Sequence, residues 1–186
     1  MARPRLLNDD QILQRVGDAL GDVDAAWTLA GAAAAAGLHP ATLIKRFGSR
    51  RGLLVALSQR WVSSIPSKPT SDDAHQELLA WVDSTCASEV AEDQMLTRID
   101  MLVEDLRDPE LRALLHDGWQ RNIDYLTGLV NRARQDGQMR EGISSVTIAH
   151  LLLDTAHGSL LRAAVTPGRR DTAPACTTQS LLEALT

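Results

Sequence analysis

The spacing of apolar residues along most of this chain is that of amphipathic α-helices, and this periodicity limits the possible folds more than any other feature. The clearest case begins at the dipeptide Asp108-Pro109, a favourable helix start, and stops at Gly137. Its apolar residues recur every three or four positions and share one helix face: Leu111, Leu114, Leu115, Trp119, Ile123, Leu126 and Val130. No stretch shows the alternation of a strand, and aromatic residues make up only 3% of the chain. We therefore predict an all-α fold packed by aliphatic side chains.

The first 63 residues predict four short helices in close succession. Their ends are marked by residues that cap or interrupt helices: Asn8, Thr28, Gly37, His39, Pro40, Gly48 and Ser49. The third helix, Pro40–Phe47, spans about two turns, because Gly48 stops it and Ser49 caps a fourth helix over residues 50–63. Two prolines and four serines then make residues 63–73 a predicted linker. We place a domain boundary there, which gives domains of residues 1–63 and 64–186.

The remaining sequence predicts longer helices and a cytoplasmic protein. The most apolar stretch, residues 146–165, is unsuited to a membrane because it is broken by His150, Asp154, His157 and Arg162. The amino terminus lacks the apolar segment of a secretory signal. Two cysteines far apart in the sequence argue against a disulfide framework and fit a reducing compartment.

Positive charge is concentrated in the amino-terminal third, although the whole chain has a formal charge of −5. Residues 1–62 hold eight basic and five acidic residues, a balance of +3, whereas residues 63–186 hold 11 basic and 19 acidic residues, a balance of −8. The basic residues of segment 37–54, which contains no acidic residue, are Lys45, Arg46, Arg50 and Arg51. This local excess of cations indicates that the amino-terminal part meets a polyanion.

The short helices and the basic residues together predict a helix-turn-helix unit. In such a unit the second helix lies in the major groove of DNA, and the first braces it across the backbone. Residues 28–36 would form the bracing helix and Pro40–Phe47 the reading helix, while Gly37 would supply a left-handed backbone for the turn. Double-stranded DNA is therefore the predicted polyanion.

Segment 28–54, TLAGAAAAAGLHPATLIKRFGSRRGLL, resembles the amino-terminal domain of TetR (tetracycline-repressor-like) transcriptional regulators. The residues that match the pattern of that family are Thr28, Ala36, Gly37, Thr42, Leu43, Phe47, Gly48, Ser49, Leu53 and Leu54. The resemblance implies a three-helix helix-turn-helix DNA-binding domain and a carboxy-terminal helical bundle for ligand binding and dimerisation. Four positions depart from the pattern: Ile44 replaces a tyrosine, Arg46 a histidine, Arg50 a lysine and His39 a serine.

The resemblance and the local charge predict which residues meet DNA. The predicted site comprises Thr28, His39, Pro40, Ala41, Thr42, Lys45, Arg46 and Arg50, with Arg51 and an arm containing Arg3 and Arg5 as further candidates. Pro40, Ala41 and Lys45 would meet base edges, with Ala41 on a thymine methyl and Lys45 on guanine, whereas the threonines and arginines would contact phosphates. Arg50 begins a helix, where the dipole disfavours a cation, and a phosphate would compensate its charge. For each basic residue the alternative is a solvated surface charge.

The carboxy-terminal helices predict a pocket for a small, largely apolar ligand. The candidate lining residues are Trp81, Arg98, Met101, His116, Trp119, Asn122, Ile123 and Leu126, and ordinary core packing is the alternative for the apolar ones. His150, Asp154 and His157 share one helix face at a spacing that suits a metal. Such groups more often satisfy one another, reach a ligand or mark an oligomer interface, so we predict no metal and no other cofactor.

These features predict a dimeric TetR-like regulator, a repressor that a small-molecule effector releases from a near-palindromic operator. Helices near residues 144–165 and 178–185 would form the homodimer interface. No nucleophile elbow, P-loop or dinucleotide fingerprint is present, so no enzymatic activity is expected. The alternative is a protein of the same fold that no longer binds DNA and holds a lipid or small molecule. The missing tyrosine at position 44, the uncharged alanine-rich helix and the acidic net charge favour that alternative.

Overall fold

The computed structural model describes residues 7–19, 28–85, 92–164 and 174–185, which form α-helices and no strand. In chain order the helices are α1 (Asp9–Ala19), α2 (Leu29–Ala35), α3 (Pro40–Phe47), α4 (Arg50–Ser64), α5 (Ala74–Thr85), α6 (Glu92–Arg107), α7 (Pro109–Gln135), α8 (Ser145–Ala164) and α9 (Pro174–Leu185). The predicted all-α fold is confirmed. Arg3 and Arg5, the predicted arm, lie outside the described residues.

Local capping sets the starts of the amino-terminal helices. The Asn8 side chain accepts a hydrogen bond from the Gln11 amide at 2.8 Å, and the Gln11 side chain accepts one from the Asn8 amide at 3.1 Å. This reciprocal capping box starts α1. Ser49 Oγ accepts from the Gly52 amide at 3.0 Å and starts α4. A Cβ at Gly52 would overlap the Phe47 carbonyl, so the tight turn between α3 and α4 requires glycine.

Helices α1–α4 form a head with an aliphatic core of its own. Its buried members are Ile12, Leu13, Val16, Ala32, Ala33, Ala36, Leu43, Leu53 and Leu54. Met101 of α6 and Leu111 of α7 pack against this core from the carboxy-terminal part. The core of the head therefore includes side chains from the carboxy-terminal helices.

A second and larger core lies between α5, α7, α8 and α9, which we call the bundle. Its fully buried side chains include Leu78, Val82, Leu126, Leu129, Val130, Leu152 and Leu182. None of the helices in the described ranges is long and apolar enough to span a membrane. Aliphatic packing of helix against helix thus accounts for both cores.

The head and the bundle meet along α4 and α7. The Trp61 ring of α4 lies against Gly118 of α7, where a Cβ would overlap the indole. Arg121 donates a hydrogen bond to the Val62 carbonyl at 3.4 Å in the same region. This close approach fixes the position of the head relative to the bundle.

Candidate nucleic-acid interface and effector cavity

The turn between α2 and α3 is built from backbone hydrogen bonds and one glycine. The Gly37 amide donates to the Ala34 carbonyl at 2.9 Å, and the Leu38 amide donates to the Ala33 carbonyl at 2.7 Å. These two bonds form a Schellman motif, which requires a left-handed residue at position 37. Gly37 has φ +66°, as predicted for the turn.

Helix α3 presents Ala41, Ile44 and Lys45 on the side opposite Leu43. Successive residues of an α-helix are about 100° apart, so these three side chains lie within an arc of about 100°. All three are exposed, whereas Leu43 is 0% exposed in the core of the head. Phe47 also packs against that core. Leu43 and Phe47 thus anchor a two-turn helix whose outer face points away from the protein.

Other predicted DNA-contact residues hold the ends of the same helices. Thr28 Oγ1 accepts from the Gly31 amide at 3.0 Å and starts α2. His39 Nδ1 accepts from the Ala41 amide at 3.2 Å, and Pro40 is the first residue of α3. Thr42 is half-buried beside the exposed face. The predicted caps Thr28 and His39 are therefore confirmed, and both residues remain exposed.

Arg46 and its neighbour Lys45 differ in how their charges are compensated. Arg46 Nε donates to Asp9 Oδ1 at 2.5 Å, and Arg46 Nη2 donates to the Leu7 carbonyl at 3.2 Å. Lys45 makes no ion pair with any residue that the structure describes. Arg46 is thus bound to the start of α1, whereas Lys45 is an exposed cation that has no ion pair among the described residues.

The two arginines at the start of α4 pair with carboxylates of α6 and α7. Arg50 donates both terminal nitrogens to the Glu104 carboxylate at 2.7 and 2.8 Å. Arg51 binds Asp108 at 2.6 and 2.9 Å and Glu110 at 2.8 Å, and its hydrogen bonds hold the pKa of Asp108 at about 2. The charge of Arg50 is therefore compensated within the chain by Glu104. A phosphate is therefore not required to compensate Arg50 in the free protein, and the assignment of Arg50 to the DNA backbone stays a prediction.

A cavity of about 290 Å³ lies between α6, α7 and α8. Its apolar lining consists of Ile99, Leu102, Trp119, Leu153 and Leu161, and its polar lining of Arg98, Asp154 and His157. The rings of Trp119 and His157 contact each other with centroids 5.2 Å apart. Burial lowers the pKa of His157 below its ordinary value, which favours the neutral imidazole. Arg98 makes no hydrogen bond or ion pair within the described part of the chain.

Only Arg98 and Trp119 of the eight predicted pocket residues line this cavity. The other six lie elsewhere: Trp81 donates to Asn122 at 3.0 Å in the bundle core, Ile123 and Leu126 are buried there, Met101 packs on the head, and His116 is exposed. For Met101 the reason is geometric, because two residues along α6 turn its side chain about 200° away from Ile99. These six residues therefore do not line this cavity, and their assignment to a ligand pocket stays a prediction.

The cavity also contains residues that the sequence did not assign to it. Ile99, Leu102, Leu153 and Leu161 carried no signal beyond helical periodicity. The spacing of Asp154 and His157 on one face of α8 was a usable signal. His150, one turn earlier, is exposed and does not line the cavity. Among the residues that the structure describes, no group of three or more His, Cys, Asp or Glu side chains is placed to hold a metal ion.

We compared the chain with known protein families, curated sequences and solved structures. No protein-family model and no curated protein sequence matches the chain. A TetR transcription regulator from Haloarcula marismortui has a similar structure, with a TM-score of 0.69 and 18% identity over 95% of this chain and 96% of the other. SmeT, the repressor of the Stenotrophomonas maltophilia multidrug efflux pump SmeDEF, gives a TM-score of 0.61 and 22% identity over 96% and 90% of the two chains. The SmeT–triclosan complex gives 0.62 and 21% over 95% and 91%.

The chain has the fold of TetR-family transcriptional regulators. The resemblance predicted from segment 28–54 is therefore confirmed at the level of the fold, and it extends over nearly the whole chain. In this TetR fold the segment with the matching pattern occupies α2, α3 and the start of α4. The cavity lies in the helices that follow the head.

Proposed function

We propose that the chain is a homodimeric, DNA-binding transcriptional regulator of TetR type that uses α3 as its reading helix. The observation that carries the proposal is the exposed face of Ala41, Ile44 and Lys45, held outward by the burial of Leu43. An α-helix with its side chains is about 10–12 Å in diameter, so α3 fits the major groove, which is about 12 Å wide. Pro40, Ala41 and Lys45 would meet base edges in that position.

Contacts to the DNA backbone would come from the ends and flanks of the same helices. We assign Thr28, Thr42, Arg46 and Arg50 to phosphates, with His39 next to them. The ion pairs of Arg46 and Arg50 lie at the surface, where such pairs contribute about 0–1 kcal/mol. Each arginine can therefore exchange its carboxylate for a phosphate at low cost, and the release of counterions from DNA favours that exchange.

Dimerisation would use α8 and α9. Val146 and Leu151 are exposed aliphatic residues on α8, and burial against a second copy would remove them from water. A two-fold axis through this surface presents two reading helices to one duplex. A near-palindromic operator follows from that symmetry.

Selection of duplexes from a random library by the full-length protein tests this proposal. We expect enrichment of two inverted half-sites whose centres lie about 10 base pairs, or a multiple of that, apart. A single half-site without symmetry would contradict the dimer. No enrichment at all would contradict DNA binding.

The cavity between α6, α7 and α8 is the proposed effector site. Its largely apolar walls and the Arg98 guanidinium, which has no acidic partner among the described residues, favour a small apolar molecule with an acidic group. SmeT is a repressor that has also been solved with triclosan, which supports repression and effector binding for this chain.

Helix α6 connects the cavity to the head. It carries Arg98 and Leu102 at the cavity and Glu104, the partner of Arg50, within about 9 Å along the same helix. An effector that shifts α6 would therefore move the attachment of the head and separate the two reading helices. The effector weakens DNA binding only to the extent that it prefers this second arrangement.

The acidic preference is tested with three probes of one shape: 2-naphthoate, 2-naphthalenemethanol and 2-naphthylmethylamine. We expect the carboxylate to raise the melting temperature most, and the Arg98→Gln variant to lose that advantage while its own melting temperature stays close to that of the parent. Arg112→Gln, an exposed position on α7, is the matched control and should keep the preference. Equal effects of all three probes, or a preference that survives in Arg98→Gln, would contradict the assignment.

The second candidate function is a small-molecule binder that no longer binds DNA. The observation that favours it is the pairing of Arg46, Arg50 and Arg51 with carboxylates of the same chain, which reduces the positive field of the head. The two functions separate cleanly in experiment. This alternative predicts stabilisation by the naphthoate and no duplex enriched from the random library.

A further inference from the structure

One aliphatic side chain on α3, that of Ile44, is exposed and lies outside the buried core of the head. Ile44 is 49% exposed, whereas Leu43, its neighbour in sequence, is fully buried in the head. A single exposed isoleucine is common on protein surfaces, so exposure alone carries little weight. The position carries more, because Ile44 is turned about 100° from Leu43 and lies on the same exposed side of α3 as Ala41 and Lys45.

On the proposed function, this face is the one that enters the major groove. The only apolar group that the major groove presents is the C5-methyl of thymine. Ile44 has no hydrogen-bonding atom in its side chain, so it cannot make a hydrogen bond to a phosphate or to a polar base edge. An aliphatic side chain pointing into the groove is complementary to a thymine methyl and to nothing else there.

We propose that Ile44 is a specificity-determining residue that reads the methyl group of thymine, next to the base contacts of Ala41 and Lys45. Residues three apart on a helix have Cβ atoms about 5–6 Å apart, whereas base pairs are stacked about 3.4 Å apart. Ala41 and Ile44 therefore reach thymines one or two base steps from each other. Each half-site should contain these thymines beside a guanine that Lys45 contacts.

The test removes single methyl groups from the DNA. Thymines of the selected operator are replaced one at a time by deoxyuridine, which keeps the pairing with adenine and lacks only the C5-methyl. With the parent protein we expect about fourfold weaker binding at the thymine read by Ile44, and about sixteenfold when both half-sites are changed.

Two variants connect this effect to one side chain. Ile44→Ala should bind less tightly and lose the response at that thymine, while it keeps the response at the neighbouring thymine assigned to Ala41. The variant should fold normally, because the position is exposed and alanine favours a helix. Ile143→Ala removes an isoleucine of similar exposure, 46%, outside the head, and should keep every response.

The failures of the inference and of the proposed function are distinguishable. If the operator is bound but no deoxyuridine weakens binding, or if Ile44→Ala keeps the response at every thymine, the role of Ile44 is overturned and the DNA-binding function stands. If the protein enriches no duplex, both are overturned.

Discussion

Replacing Lys45 by alanine should weaken binding to the selected operator by about a hundredfold. A lysine contact to guanine contributes about 1–3 kcal/mol, and a homodimer loses two such contacts. A loss of about 1.4 kcal/mol per contact weakens binding tenfold, so the two losses together give a hundredfold. Lys45 is exposed on the outer face of α3 and makes no ion pair within the described part of the chain, so its removal leaves no carboxylate unpaired. Fluorescence anisotropy of a labelled operator at fixed salt measures the change.

The control for Lys45 is the only other lysine of the chain. Lys68 is exposed in segment 65–73, outside the head, and Lys68→Ala should bind the operator as the parent does. The specificity of the Lys45→Ala variant should also relax at one base pair per half-site in a repeated selection. If Lys45→Ala binds the operator as tightly as the parent, Lys45 does not contact DNA and the prediction is wrong.

Glu77→Gln should lower the free energy of unfolding at pH 7 by about 3 kcal/mol. Glu77 is 9% exposed and accepts hydrogen bonds from the Thr70 amide and hydroxyl, the Ser71 amide and the Tyr125 hydroxyl at 2.5–3.0 Å. These bonds fasten segment 65–73 to α5 and α7. A glutamine replaces one accepting oxygen by a donating NH₂ that faces donors. The melting temperature should fall by about 6–12 °C.

The effect of Glu77→Gln should depend on pH in one direction. Burial alone would raise the pKa of Glu77, but the hydrogen bonds from Tyr125, Thr70 and Ser71 outweigh burial and hold the pKa below its ordinary value. Because the folded pKa lies below the unfolded value of about 4.3, the stabilisation is complete above that value and is lost as the pH falls through the folded pKa. The difference between the variant and the parent should therefore shrink below about pH 4.

Thermal unfolding at one protein concentration, repeated from pH 3 to pH 8, measures both parts of this prediction, because melting of a dimer depends on concentration. Asp83→Asn is the matched control, since Asp83 is an exposed carboxylate on the same helix, and its substitution should change stability by less than about 0.5 kcal/mol. A Glu77→Gln variant as stable as the control at pH 7 would show that these hydrogen bonds contribute nothing net.

The helix ends of the head were predictable because their signals are local. Thr28, Gly37, His39 and Ser49 each act within five residues of their own position, through a cap or a left-handed turn, and the structure places each where the sequence indicates. The pairing of Arg50 with Glu104 was not predictable in this way. It joins residues 54 positions apart and depends on how α6 packs against the head.

The lining of the cavity was likewise not predictable from local sequence signals. Periodicity groups residues on one face of a helix, but it does not say which neighbour that face meets. Met101 and Ile99 are both apolar residues of α6 and are not distinguished by periodicity. In the structure Met101 packs on the head, whereas Ile99 lines the cavity. The position of Trp119 on the apolar face of α7 predicts that it is buried or lines a pocket, whereas the place of His157 in the cavity depends on how α8 packs beside α7.

The central claim, that the exposed face of α3 enters duplex DNA, is tested most directly by titrating salt against the binding of the full-length protein to a duplex of generic sequence. With about eight phosphate contacts per dimer, the logarithm of the binding constant should fall with the logarithm of the salt concentration at a slope of about −7. Absence of binding at low salt, or binding that salt does not weaken, would contradict the claim.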